Sequence, residues 1–431
     1  MVQPPPLPWR PAKKILFRAV FLLFVLYMLF IPNEIFPISN PFYEFYSHPL
    51  QLFVPWMGNH LLHLPGRIVP SYGNGDTTYD YLVLLVIAVA TVLGCLAWSL
   101  IDRRRTNYRV LYYWLTAFVR LYCAFTMFSF GIVKLFKLQF TFPSPGSLMQ
   151  PFGTYSPMHA AWAFFGYSKA YNYFMGGVEI AAGILLLFRR TTRLGAIFLL
   201  AVMLNVVFIN YCFDVCVKIV SSGLVLMALF LLWQERRRLI DFFFRNRPVV
   251  AENEWAPRFH RKWINISAPV FKYLLIISTV FSINWEIIGF KNDSGDNRIK
   301  SSLHGIYNVQ TFVKNDDTLA PLMTDTTRWR RLVITDRGSD GIYASVRVMN
   351  DSAKTYLLES DTIAKKITMY KVSDSTKKFY FTYSVTGKDS LHLLGKWNGD
   401  SLSVVLIKYN LDNFTLINRG FHFINERGFQ K

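Results

Sequence analysis

Cysteine is scarce: four in 431 residues, too few for a disulfide scaffold. Cys95 and Cys123 fall inside apolar runs. Cys212 and Cys216 share one short stretch, INYCFDVCVKIV (209–220), without zinc-type spacing. Acidic residues are also few, 27 against 47 Lys and Arg, which leaves a net charge of +20. The chain has no G-x-S-x-G, P-loop, G-x-G-x-x-G or C-x-x-C-H element. That removes the common hydrolase, NTPase, dinucleotide-binding and c-haem readings. There is no internal inverted repeat and no pair of broken helices, which weakens a transporter reading. No small-residue cleavage site follows the N-terminal apolar run Ile15–Ile31. The run is also too long for a signal-peptide core, so it reads as a retained helix.

What the chain has in abundance is apolar residues, 52% of the total. Apolar content with a basic balance fits either a nucleic-acid binder or a multi-span membrane protein. The distribution decides. Long apolar runs recur before residue 291, each able to cross a hydrocarbon core of about 30 Å, and the basic residues sit in short gaps between them. No nucleic-acid partner is expected; the lipid bilayer is. Seven spans can be drawn, at roughly 15–32, 81–101, 111–136, 170–188, 194–211, 216–233 and 269–290. Alternate gaps hold Lys13 and Lys14, then Arg103, Arg104 and Arg105, then Arg189, Arg190 and Arg193, then Arg236, Arg237 and Arg238. The positive-inside rule predicts a bacterial inner-membrane protein with its N-terminus in the cytoplasm and residues 291–431 in the periplasm. The gap 33–80 reads as an amphipathic helix in the outer interface, the Pro- and Gly-broken gap 138–168 as a headgroup-level segment, and ERRRLIDFFFRNR (235–247) as a basic interfacial helix.

Composition changes after Phe290. Short alternating runs, from GIYNVQTFVK (305–314) to FTLINRG (414–420), are separated by turn signals such as RGSDG, SDSTKK and NGDS. Eight or nine short strands predict a closed, soluble, lipocalin-like antiparallel β-barrel; a two-sheet sandwich is the alternative. The expected organisation is an all-α polytopic membrane domain, 1–290, followed by an outer β-barrel domain, 291–431.

Ionisable residues within spans need a partner or a role. Counting depth from helix ends predicts that Arg120, Glu179 and Asn205 share one level, with an Arg120–Glu179 ion pair. A second level, near the outer surface, brings Lys134 to Asp214, with Asn210 and Lys218 nearby. Each pair either fixes helix register or handles protons or substrate. Arg120, Lys134, Glu179 and Asp214 are the catalytic candidates; Asn205, Asn210 and Lys218 are the cofactor-binding candidates. Cys212 and Cys216 are redox candidates, although an i, i+4 pair within a helix suits a disulfide poorly. His60 and His63 form H-x-x-H with no third ligand in sequence, so no metal site is expected.

Three elements carry a resemblance: FGIVKLFKLQF (130–140), SPMHAAWAFFGYSKAYNYFMGGVEIAAGILLLFRRTTRLGA (156–196) and NVVFINYCFDVCVKIVSS (205–222). Within them G-I-x-K-L, G-x-x-E-x-x-A-G-x-L-L-L and R-R-T-T-x-L-G are the most specific parts. They resemble the DoxX-like membrane family, over a core of 110–235. FTLINRGFHFINE (414–426) resembles the end of long Bacteroidetes-type members that append an outer β domain. Cys216 stands where such members carry Pro, which argues against a two-cysteine mechanism as a family trait. The resemblance implies a four-helix membrane core, found in some members within thiosulfate:quinone oxidoreductase or other thiol-linked redox complexes. A more distant similarity connects it to the membrane domain of vitamin-K-dependent gamma-carboxylases.

Two functions follow. One is a subunit of a quinone- or thiol-linked membrane oxidoreductase, quinone its expected cofactor, with Lys134 and Asp214 framing the mouth where a quinone head or thiol binds. The other is a non-enzymatic membrane scaffold whose periplasmic barrel binds a lipid, a peptide or a partner protein. A connected cavity lined by Arg120, Glu179, Lys134 and Asp214 would favour the first; separate helix contacts would favour the second.

Overall fold

The computed structural model describes residues 8–31, 39–70, 75–248 and 295–424, apart from 297 and 388, with scattered positions of 263–281. The chain divides into two compact units. One comprises Met1–Gln139 and Lys169–Gly289, the other Phe140–Ser168 and Phe290–Lys431.

The first unit is helical: α1 (Pro11–Phe30), α2 (Ser39–Trp56), α3 (Thr78–Ile101), α4 (Arg109–Leu135), α7 (Lys169–Leu187), α8 (Thr192–Cys212), α9 (Lys218–Trp233) and α10 (Arg236–Phe243). Local chemistry sets its boundaries. Pro11 opens α1, where a missing N–H is harmless. Thr77 and Asp80 form a reciprocal capping box at the start of α3. Large apolar side chains line the open face of α3, among them Val92, Leu93, Leu96 and Leu100, each more than half exposed. Such a face is unfavourable in water and suits lipid.

Among the described residues, four helices (α3, α4, α7 and Arg189–Cys212) are long and apolar enough to cross a membrane. The α9–α10 pair, bent by 79°, makes a fifth if it is one broken span. This differs from the seven spans read from the sequence. α1 forms where the first was expected but carries Lys13, Lys14 and Arg18 within 20 residues. The seventh, 269–290, lies largely outside the described residues. The bend after Trp233 begins the basic helix expected there, and α2 forms in the 33–80 gap.

The second unit is a closed barrel. Its strands are β1 (Gly305–Lys314), the two-residue β2 (Asp317–Thr318), β3 (Trp329–Asp336), β4 (Ile342–Val348), β5 (Ala353–Asp361), β6 (Lys366–Lys371), β7 (Asp374–Thr386), β8 (Ser390–Trp397) and β9 (Asp400–Lys408). Every neighbour pair is antiparallel, and β1 pairs with β9 to close the ring, with β2 a short appendage to β1. Period-2 alternation sends Phe379, Phe381 and Tyr383 of β7 inward and leaves Tyr380 outside. Asn398 and Gly399, both at positive φ, make the two-residue β8–β9 turn.

FTLINRG, counted above as the last strand, holds a single helical turn, Thr415–Asn418. Closure between β1 and β9 leaves no free edge for a further strand to join. Residues 140–168, read from the sequence as a headgroup-level segment, fold into α5 (Pro145–Leu148) and α6 (Pro157–Tyr167) within this unit. α5 packs on β1 and β3, and the Arg331 guanidinium meets Met149 Sδ at 2.7 Å.

The lumen is filled. Trp329, Phe312, Phe381, Tyr356 and Met369 are all buried there, and Trp397 stacks on Phe379 at 4.2 Å between ring centroids. At one rim Asp336 accepts from Arg298 (2.7 Å), Ser301 N–H (2.7 Å) and Gly338 N–H (2.9 Å). Burial pushes the Asp336 carboxyl up, but those donors outweigh it and hold it below its ordinary value. Its own N–H donates to His304 Nδ1 at 3.1 Å. Burial, with Lys300 beside it, pushes the His304 imidazole down to about 4.

Candidate functional site

The site grows out of two sequence elements that meet. In G-I-x-K-L, Gly131 precedes Lys134 by three residues; in G-x-x-E, Gly176 precedes Glu179 by three. On a helix that spacing puts each glycine and its charged neighbour on one face. α4 and α7 use these glycines to approach closely. A Cβ on Gly131 would lie 2.6 Å from Gly176 O, and one on Gly183 would lie 2.9 Å from Ala124 O. Contact at this level brings Lys134 Nζ to Glu179 Oε2 at 2.8 Å, with the two side chains 8% and 3% exposed.

This pairing corrects both ion pairs expected from the sequence. Arg120 lies fourteen positions before Lys134 on α4, about 21 Å along the axis. Its Nη1 instead donates to Thr192 Oγ1 (3.3 Å) at the α7–α8 turn. Helix ends do not share one level: the first turns of α4 run past the end of α7, so depth counted from ends misplaced Arg120. Asn205, expected beside them, is exposed on α8.

Asp214 is not the partner of Lys134 either. It sits at φ 51° in the α8–α9 turn, its side chain 85% exposed, and bonds Lys218 one turn on at 2.9 Å. Asn210 is buried and donates to Ser221 Oγ (2.9 Å) and Val217 O (3.3 Å), tying the end of α8 to α9. The expected neighbourhood of Asn210, Asp214 and Lys218 is therefore present, apart from the Lys134–Glu179 pair. Cys212 (exposed) and Cys216 (half-buried) are free thiols. His60 Nδ1 lies 3.1 Å from Trp56 O, and no metal-type cluster occurs among the described residues.

The residue that organises this turn escaped the sequence reading. Asp76, far upstream, accepts from Lys218 N–H (2.6 Å) and Ile219 N–H (2.9 Å), capping α9 from a distance. Its signal was GNGDTTYD, a turn followed by a capping box, but no local pattern names a cap's remote partner. Arg18 was also missed, inside an apolar run. It is buried and donates to Tyr108 Oη (2.7 Å), Ser99 Oγ (2.8 Å) and Asp102 O (2.8 Å).

The R-R-T-T-x-L-G element makes the α7–α8 turn, with Thr191 Oγ1 donating to Leu185 O (2.7 Å) and Thr192 Oγ1 to Phe188 O (2.9 Å). Beside it opens a cavity of about 360 Å³ that Arg120 lines. Lys134, Glu179 and Asp214 are not part of its wall. The four catalytic candidates therefore fall in three separate places.

A family model for DoxX matches residues 115–211, a stretch that holds Arg120, Lys134, Glu179, Asn205 and Asn210. The uncharacterised protein YwoB of Bacillus subtilis (strain 168) is 41% identical over 130 residues, which are 30% of this chain and 82% of that protein. No solved structure matches the chain significantly. These matches lend nothing to the more distant likeness to gamma-carboxylases. Two motifs locked by a buried ion pair, apolar spans around them, and a relative matched over most of its length lead to one conclusion: this chain belongs to the DoxX family and is a multi-pass membrane protein.

Proposed function

We propose that the protein is a non-enzymatic membrane scaffold. Its helical unit (Met1–Gln139 and Lys169–Gly289) anchors it, and its barrel unit (Phe140–Ser168 and Phe290–Lys431) docks a partner protein or peptide on the outer side of a bacterial inner membrane. The observation that carries this reading is the separation of the ionisable groups. Lys134–Glu179 locks α4 to α7, Asp214–Lys218 closes the α8–α9 turn, and Arg120 stands at the α7–α8 turn. Each has a local architectural partner, and the cavity beside the α7–α8 turn is lined by Arg120 but not by Lys134, Glu179 or Asp214. The packed aromatic lumen supports docking on the barrel's outside rather than ligand carriage within it.

Orientation draws on the charge pattern. The start of α1, the α3–α4 link, the α7–α8 turn and α10 hold the arginine-rich gaps, and positive-inside bias puts these in the cytoplasm. The competing reading, a quinone- or thiol-linked oxidoreductase subunit, rests on the family resemblance and on the free thiols.

One experiment separates the two. The full chain is purified from membranes after in-cell crosslinking, and bound lipid is extracted. The scaffold reading expects a defined partner crosslinked through barrel-surface residues and lost when Tyr380 or Leu394 is replaced by Asp. Stoichiometric quinone, with reduction of quinone analogues that survives those changes, would overturn it.

A further inference from the structure

The outer face of β6, β7 and β8 has a sign of its own. Alternation turns Met369, Phe381 and Leu393 into the lumen and the side chains between them outward. Register then sets the outward residues in rows. Lys366, Thr382 and Leu394 lie side by side, Thr368 opposes Tyr380, and Tyr370 opposes Lys378. Lys396 follows Leu394 on the same face of β8 and is exposed, as are Lys366 and Lys378.

Elsewhere in this unit basic side chains meet carboxylates: Arg298 pairs with Asp336, Lys314 with Asp400, and Arg330 and Arg347 with Asp351. Among the described residues, Lys366, Lys378 and Lys396 form no ion pair. The carboxylates that share their face are engaged locally. Asp361, opposite Lys366, accepts from Ile363 N–H at 2.9 Å and Ala364 N–H at 2.8 Å. Glu359 accepts from Tyr370 Oη at 2.8 Å. Exposed lysines are stable in water without a counterion; what they do is make the local field positive, and such a field steers acidic partners toward it.

The centre of the face supplies a second observation. Tyr380 is 64% exposed and Leu394 47%, and they lie diagonally across β7 and β8, in mid-strand rather than at a turn. Lys378 Nζ lies 5.2 Å from the centroid of the Tyr370 ring, so an aromatic face positions that ammonium group. An uncovered aromatic and aliphatic pair with charges around it has the anatomy of a docking surface, an apolar centre within a polar rim. The side of a barrel is convex. A flat bilayer meets it along a line, whereas an extended segment can cross all three strands.

We propose that this face docks an acidic segment of a partner protein. Its carboxylates lie opposite Lys366, Lys378 and Lys396, and an apolar side chain of the segment covers Tyr380 and Leu394. The inference rests on the scaffold reading and adds the chemistry of the partner.

The test places a photo-crosslinking amino acid, benzoylphenylalanine, in the full chain in cells. It stands at Thr368 or Thr382 on this face, and at Ser345 on β4 for comparison. Adducts are identified by mass spectrometry. The expected adduct, from Thr368 or Thr382, is with a protein segment rich in Asp and Glu. Its yield should fall about tenfold when Lys366→Glu and Lys378→Glu are combined, the scale of two exposed ion pairs turned repulsive. Lys366→Arg with Lys378→Arg should keep the yield, and an unchanged Tm in detergent separates lost docking from lost folding. Lys396→Glu alone should lower the yield in the same direction. A partner segment without excess acid, a yield indifferent to the lysine reversals, or an adduct from Ser345 alone overturns the proposal and leaves the scaffold reading standing. An adduct with lipid alone assigns the face to the bilayer and overturns the proposal as well. Absence of a protein adduct from all of these positions overturns both.

Discussion

Lys134 and Glu179 form a buried ion pair between α4 and α7. Removing one member of a buried pair leaves a charge without its counterion, at a cost of about 3–5 kcal/mol, whereas replacing both by apolar groups of similar volume is often nearly neutral. Lys134→Met and Glu179→Leu are each expected to lower the detergent Tm sharply, and the double variant to recover most of the loss. A double variant that is simply additive would show that the two groups act apart. His304 offers a second residue-level test, in the barrel. Its pKa falls from an ordinary 6.5 to about 4 in the folded chain, so the unfolded chain binds more protons between those values. Stability from this group is complete above about pH 6.5 and declines as pH falls toward 4. Hydrogen-exchange protection of the 300–340 segment, corrected for the intrinsic pH dependence of amide exchange, should fall across that window. His304→Asn, which keeps an acceptor but does not titrate, should flatten the change; an unchanged pH profile would assign the acid sensitivity elsewhere.

At the scale of elements, contacts depend on how closely helices approach and where they start. Gly131 lies against the Gly176 carbonyl, so Gly131→Ala must force α4 and α7 apart, an overpacking penalty of about 1–3 kcal/mol. The same shift lengthens the Lys134–Glu179 bond, so Gly131→Ala is expected to blunt the effect of Glu179→Leu in a double-mutant cycle measured by Tm. Asp76→Ala, by contrast, removes the remote cap of α9, at about 0.5–2 kcal/mol. These examples also mark what the sequence made legible. Hydropathy periods revealed the helices α3, α4, α7, α8 and α9, and alternation with turn signals revealed eight strands. The importance of Lys134, Glu179, Asp214, Asn210 and Lys218 was visible from their polarity in apolar surroundings. Their partners were not, because pairing depends on axial offset. α4 begins well before the level at which α7 ends, and no local pattern records such an offset. Asp76 and Arg18 were hidden for a related reason: their partners lie 142 and 90 positions away.

For the whole molecule, the membrane orientation decides which compartment each end of the spanning helices faces. α3 provides the measure. Its start adjoins Asp76, which bonds the first turn of α9 after the Cys212–Asp214 turn. Its end adjoins Asp102, whose carbonyl bonds Arg18 near the start of α1. A 24-residue helix is about 36 Å long, so these two ends lie on opposite faces of a hydrocarbon core if α3 crosses it. Cys212 is exposed at the first end, and Arg104 is exposed just beyond the second. Cys95 and Cys123 are buried and leave the labelling background low. In a Cys216→Ser background, a membrane-impermeant maleimide applied to intact cells is therefore expected to label Cys212. With Cys212 also replaced by Ser, Arg104→Cys should label only after the membrane is opened. The reverse pattern would invert the orientation inferred from the arginine-rich gaps. Labelling of both positions from one side would show that α3 does not cross, which would remove the bundle's strongest span.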